Sequence, residues 1–125
     1  MTIKQVSEKY DISQDTLRYY ERIGVLPPVT RTAGGIRDYT EKDLSWVSLA
    51  LCMRSAGMPI EALTKYVKLC MEGDSTIPAR LDLLCEQRGK LVRQRDQINE
   101  TLDRLNHKIE LYGEAVDNGV KQSWM

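Results

Sequence analysis

The chain has 125 residues, with 18 Lys+Arg against 18 Asp+Glu and a formal charge of +0, so attraction to a polyanion has to come from local placement of cations. Its three cysteines are an odd number, with no signal-type leader and no apolar run near the roughly 18 residues of a membrane span; this points to a reducing, cytoplasmic setting without structural disulfides. One histidine, no phosphate loop and no carboxylate pair in a pocket-forming pattern argue against an enzyme.

Thr2 and Gln5 form a capping-box pattern, and Ile3, Val6 and Tyr10 then share one face of a short helix ending near Asp11. Ser13 is the next N-cap and Asp15 sits in the first turn of a second helix. Leu17 with Tyr20 or Glu21 marks its inner face, and Gly24 ends it. Two short helices joined by about three residues, over 2–24, read as a helix-turn-helix, although an ordinary helical hairpin has the same spacing. Over 29–40, two short extended runs flank Gly34-Gly35, a pair that suits a two-residue hairpin turn, with Arg31 and Arg37 on the arms. So small a hairpin has little core to serve, and phosphate contact is a natural use for its arginines; the alternative is a solvated loop.

Thr40 and Asp43 cap a third helix, expected over 41–56, whose inner face reads as Leu44, Val47, Ser48, Leu51 and Cys52. A fourth, over 59–72, turns Ile60, Leu63, Tyr66, Val67 and Cys70 inward, and residues 1–73 form the first domain. From 76 to 117 runs one long helix. Ile77, Leu81, Leu84, Leu91, Ile98, Leu102, Leu105, Ile109, Tyr112 and Val116 recur on it at alternating steps of three and four, interrupted only by Arg88 and Arg95. At about 1.5 Å per residue this seam is roughly 60 Å long, and nothing else in the chain can cover it, so a homodimer is expected. The tail over 118–125 is polar apart from Val120, Trp124 and Met125.

The runs Thr16-Leu17-Arg18-Tyr19-Tyr20-Glu21, Gly24-Val25-Leu26-Pro27 and Gly35-Ile36-Arg37-Asp38-Tyr39 resemble, in order and spacing, the signature of MerR-family transcription regulators. The resemblance implies a mainly α protein: a winged helix-turn-helix, two further helices and a long C-terminal dimerisation helix forming an antiparallel coiled coil. It also implies binding to double-stranded promoter DNA at a pseudo-palindromic operator and activation of RNA polymerase by distorting the DNA, in the bacterial cytoplasm and nucleoid. The positions it assigns to DNA are Thr2, Ser13, Thr16, Arg18 and Tyr19, with Arg31, Arg37 and Tyr39 on the wing. Arginine can read guanine or clamp phosphate, and tyrosine hydroxyls donate to phosphate without adding charge. Ile36 departs from the family, which usually has an aromatic before the wing arginine.

Metal-sensing relatives keep a cysteine where this chain has Ser75-Thr76, so neither a metal nor a cofactor is expected. Cys52, within Leu49-Ala-Leu-Cys-Met-Arg-Ser, is instead similar to the single cysteine of the AdhR/NmlR-like subgroup, which responds to aldehydes and other electrophiles. Cys85 is a second candidate. A buried thiol acting only as a small hydrophobe is the simpler alternative. A ligand-independent architectural DNA protein, a regulator with another small-molecule effector and a dimeric scaffold are the competing functions.

Overall fold

The computed structural model describes residues 1–118, so the tail with Trp124 and Met125 lies outside the described residues. Five α-helices follow one another: α1 (Ile3–Tyr10), α2 (Gln14–Ile23), α3 (Glu41–Ser55), α4 (Ile60–Met71) and α5 (Ile77–Asn118), with a 3-10 turn at Asp74–Thr76 before the last. The fold is mainly α, a winged helix-turn-helix followed by a long C-terminal helix.

Local chemistry sets the helix ends. The Gln5 N–H donates to Thr2 Oγ1 at 3.2 Å and the Thr2 N–H to Gln5 Oε1 at 2.9 Å, a reciprocal pair that satisfies two otherwise orphaned donors of α1. Asp11 ends α1 in the left-handed region at φ 52, which a short polar side chain tolerates. Ser13 caps α2 by accepting from the Thr16 N–H at 3.0 Å. Gly24 ends it at φ 85, where a Cβ would strain the backbone and where the Val25 N–H turns back to the Tyr20 carbonyl at 2.9 Å.

These caps fix how the first residues pack. Val6 from α1, Leu17 from α2, and Val25, Leu26 and Val29 from the segment between α2 and the wing enclose one core with Val47, Ala50, Met58, Ala62 and Leu63. Leu17 and Val6 are fully buried. Truncating a leucine in such a place typically costs about 2–5 kcal/mol, so α1 and α2 are held at a fixed mutual angle.

The wing differs from the expected two-residue turn. The Gly35 N–H donates to the Thr32 carbonyl at 2.9 Å and the Thr32 N–H to the Ile36 carbonyl at 2.8 Å, with Gly35 at φ 82. The loop is therefore the three-residue form closed by a left-handed glycine, and of the two neighbouring glycines only Gly35 has positive φ. The arms are short, with a single antiparallel bridge between Arg31 and Arg37. Met1 extends the second arm, its carbonyl accepting from the Tyr39 N–H at 2.8 Å.

Asp43 ties the base of the wing to α3. Its Oδ2 accepts from the Thr40 N–H and hydroxyl, both at 2.9 Å, and from the Thr30 N–H at 3.4 Å. Burial would raise this carboxyl, but the hydrogen bonds from Thr40 and Thr30 outweigh it and hold Asp43 below its ordinary value of 3.8.

The inner face of α3 corrects the expectation. Val47 and Ala50 are buried, whereas Ser48 and Cys52 are exposed. The first compact unit spans Met1–Glu86. Leu83 is buried, and Arg80 donates from Nη2 to the Gly73 carbonyl at 2.6 Å and from Nε to Thr76 Oγ1 at 3.0 Å, fastening the start of α5 to the turn before it. The second unit begins at Gln87 and its described part is the rest of α5.

Candidate nucleic-acid interface

Among the residues assigned to DNA from sequence, those of α2 present the most available chemistry. Arg18 and Tyr19 are both exposed. The Arg18 guanidinium is held along the helix by Asp15 Oδ1 at 3.1 Å and Gln14 Oε1 at 3.3 Å, which pre-orients it outward and leaves N–H groups over. Arg22 lies 5.3 Å from the Tyr19 ring centroid, so a cation and an aromatic are stacked on the same surface. The Ser13 and Thr16 hydroxyls bond each other at 2.7 Å at the start of the helix, and Thr2 is likewise engaged as a cap; each keeps acceptor capacity at an exposed helix N-terminus.

The wing arginines are not free arms. Arg37 Nε donates to Glu21 Oε1 at 2.7 Å, Arg31 Nη2 lies 3.9 Å from the same oxygen, and Glu21 Oε2 accepts from the Val29 N–H at 2.9 Å. Arg31 also donates from Nη1 to the Gly35 carbonyl at 2.9 Å, bracing the turn. Glu21, on α2, therefore joins the helix to both arms of the wing. By sequence Glu21 is only an alternative to Tyr20 as a mark of the inner face. The available signal was an acid in the last turn of the second helix, the only one there besides Asp15 in the first turn, against two wing arginines in a nearly neutral segment.

Tyr39 corrects its assignment. It is only 2 % exposed, and its hydroxyl is buried without a hydrogen-bond partner among the described residues, so in this arrangement the phenol serves the core and meets no phosphate. Burial pushes its ionisation up, opposed by the Arg37 guanidinium and reinforced by the Glu21 and Asp43 carboxylates. Ile36, at 68 % exposure, stands at the wing tip as an apolar group facing solvent.

The three cysteines separate. Cys52 is exposed on the outer side of α3, beside a shallow groove of about 500 Å³ that it lines with Ser45, Trp46, Ser48 and Leu49. Cys70 is half-buried near Tyr66, whose phenol is pushed up by burial and by its hydrogen bond with that thiol. Cys85 is exposed. Among the described residues no group of three or more His, Cys, Asp or Glu could hold a metal ion, and no helix is long and apolar enough to cross a membrane.

A model of the MerR HTH family regulatory protein matches residues 1–70, which contain the caps, the helix-turn-helix and the wing described above. The chain belongs to the MerR family. The transcriptional regulator AdhR of Bacillus subtilis (strain 168) is 48% identical over 92 residues, 74% of this chain and 66% of that relative's length. A solved structure from Listeria monocytogenes, assigned to the MerR family, superposes with a TM-score of 0.86 at 44% identity, covering 94% of this chain and 86% of that one. HiNmlR, described as a MerR family regulator lacking the sensor domain and bound to promoter DNA, superposes with a TM-score of 0.84 at 36% identity over 94% of each chain.

The protein is thus a MerR-family DNA-binding transcriptional regulator, and its relatives are regulators rather than enzymes. MerR regulators bind promoter DNA and act as dimers. On α5 the seam is open in the protomer: Leu81, Ile98, Leu105 and Ile109 are between 53% and 66% exposed, with Leu84, Leu102 and Tyr112 also exposed and Leu91 half-buried. Arg88 and Arg95 interrupt it, and Arg95 donates to Asp96 Oδ1 at 3.2 Å on its own helix.

Proposed function

We propose that this MerR regulator binds a pseudo-palindromic promoter operator as a homodimer joined through α5. It activates RNA polymerase there by distorting the DNA, in response to thiol-reactive electrophiles that modify Cys52. The observation that carries the effector half is the exposure of Cys52 beside the Trp46 and Leu49 groove, which gives a small aldehyde access to the sulfur. The similarity to AdhR and to HiNmlR supports the same class.

The reaction is simple addition. The Cys52 thiolate attacks the aldehyde carbon, the C=O π electrons move onto oxygen, and that oxygen takes a proton, giving a hydroxyalkyl thioether in equilibrium with the free thiol. Reversibility suits a sensor, since the adduct disappears with the aldehyde. For the DNA half, two recognition units on a stiff dimer meet two half-sites at a fixed separation. A bend of the intervening duplex costs about 1–6 kcal/mol, within reach of a change in protein conformation.

The test is transcription from the operator with purified protein and polymerase, with and without formaldehyde. Cys52→Ser should retain fold, dimer and operator binding and lose the aldehyde response, while Cys70→Ser and Cys85→Ser keep most of it. A fully inducible Cys52→Ser protein would exclude the thiol as sensor and favour another small-molecule effector. Activation without any aldehyde, in wild type and variant alike, would favour a ligand-independent architectural role.

A further inference from the structure

Two arginines that a DNA-binding wing would be expected to offer to phosphate already have an anion. The Glu21 and Arg37 side chains are only 12% and 23% exposed, so this pair is largely shielded from water, while Arg31 at 43% stays open to solvent. The parts of the cluster come from three places: Glu21 from the last turn of α2, Arg31 from the first wing arm and Arg37 from the second. The carboxylate uses both oxygens, Oε1 for the arginines and Oε2 for the Val29 N–H where the wing begins. One side chain therefore sets the wing's distance from the recognition helix and cancels part of its charge.

The donor count leaves room for an exchange. Arg37 commits Nε to Glu21 and has four guanidinium N–H groups left, and Arg31 commits Nη1 to the Gly35 carbonyl. Next to the cluster, Tyr39 holds a buried hydroxyl with no hydrogen-bond partner among the described residues, in the combined field of Arg37, Glu21, Asp43 and Arg18. A phosphate arriving at the wing meets guanidinium donors that are already aimed.

We propose that Glu21 is a specificity-determining residue of the DNA face, a resident anion that orients the wing arginines and withholds their charge until a correctly placed backbone phosphate shares them. On random duplex the wing then adds little attraction, because non-specific affinity scales with the cations that neutralise phosphates. On the operator, where α2 fixes the register, the phosphate falls within reach of the guanidiniums and their attraction is realised. This concerns the DNA-binding half of the molecule and holds whatever the effector is.

Glu21→Gln keeps the shape and an acceptor oxygen but removes the charge. Mobility-shift titrations of this variant on operator and random duplexes, over several salt concentrations, should give roughly threefold or greater tightening on random DNA. The salt slope should steepen by about one phosphate equivalent. Operator affinity should rise less, so the operator-to-random ratio falls. In an Arg31→Gln, Arg37→Gln background the same Glu21→Gln change should have no such effect, because the non-additivity of the cycle reports action through those arginines. The proposal is overturned if Glu21→Gln weakens both duplexes in parallel with slope and ratio unchanged, which is the signature of a packing residue. It is equally overturned if the gain on random DNA persists undiminished in the doubly substituted background, which would be a general field effect. Unchanged thermal midpoints accompany the expected outcome. If Glu21→Gln unfolds, Glu21→Asp, which keeps the charge but shortens the reach, should also lower the ratio, and an unaltered ratio would sink the idea.

Discussion

Ile98→Ala offers the sharpest test of dimerisation through α5. Ile98 sits mid-helix, 61% exposed in the protomer and flanked on the seam by Arg95 and Leu102. Burying an isoleucine side chain fully is worth about 1.5–3 kcal/mol, so covering the exposed fraction is worth about 1–2 kcal/mol per copy. A twofold interface uses each residue twice, so the substitution should cost about 2–4 kcal/mol of association, or roughly 30- to 1000-fold in the dimer dissociation constant at 1.4 kcal/mol per decade. Sedimentation equilibrium across protein concentrations measures that constant, and the thermal midpoint of the variant should become visibly concentration-dependent. A monomer–dimer equilibrium identical to wild type would show that α5 is not the interface, and the same substitution should leave the core around Leu17 untouched.

Three further outcomes follow from the same geometry. Arg18→Ala should lower operator affinity by about 1–3 kcal/mol while leaving the dimer intact, and normal operator affinity in a mobility shift would remove α2 as the recognition helix. Arg88 and Arg95 stand at positions of the apolar seam on α5 that otherwise carry aliphatic or tyrosine side chains. Replacing both arginines by Leu should therefore raise dimer stability and impair promoter activation by loosening register, and a variant unchanged in melting and activity would refute this. For Asp43, whose folded carboxyl lies below its ordinary 3.8, the stabilising contribution is complete above that value and is lost as pH falls through the lower folded value. The stability gap between wild type and Asp43→Asn should accordingly be constant near neutrality and close below about pH 3.8 in urea titrations; a gap independent of pH would contradict it.

The elements most legible in the sequence are those whose chemistry is local. Thr2 with Gln5, Ser13, Gly24 and Thr40 with Asp43 act within four residues of themselves, and each sits at the helix end its pattern implied. Leu17 was legible as core for the same reason. The face of α3 was not, because Leu44, Trp46, Val47, Leu49, Ala50, Leu51, Cys52 and Met53 surround the helix with apolar groups and periodicity then selects no side. Its orientation is decided by what α1, α2 and the wing leave for it to cover, and that puts Val47 and Ala50 inward and Cys52 outward. Glu21 was hidden by distance: its partners lie 8, 10 and 16 residues away, and only the folding of the wing against α2 brings Val29, Arg31 and Arg37 to one carboxylate. Tyr39 misled because its motif position implies an outward hydroxyl, whereas its backbone pairs with Met1 and its side chain joins the buried core.

The outward position of Cys52 changes the kind of switch the protein can be. A thiol on a packed inner face would act by overpacking, with an adduct displacing neighbours at about 1–3 kcal/mol. On an exposed face that strain is absent in the isolated protomer, since the adduct extends into solvent. An equilibrium between two DNA-bound conformations can be biased only by a difference in free energy between them. If Cys52 is the sensor proposed above, its adduct has to alter a contact made in one conformation and not in the other. Two copies per dimer double whatever each supplies, so about 1 kcal/mol per site reaches the lower range of the cost of bending an operator. For the sensor proposed above, the exposure of Cys52 therefore excludes overpacking of the protomer core as the energetic origin of a response.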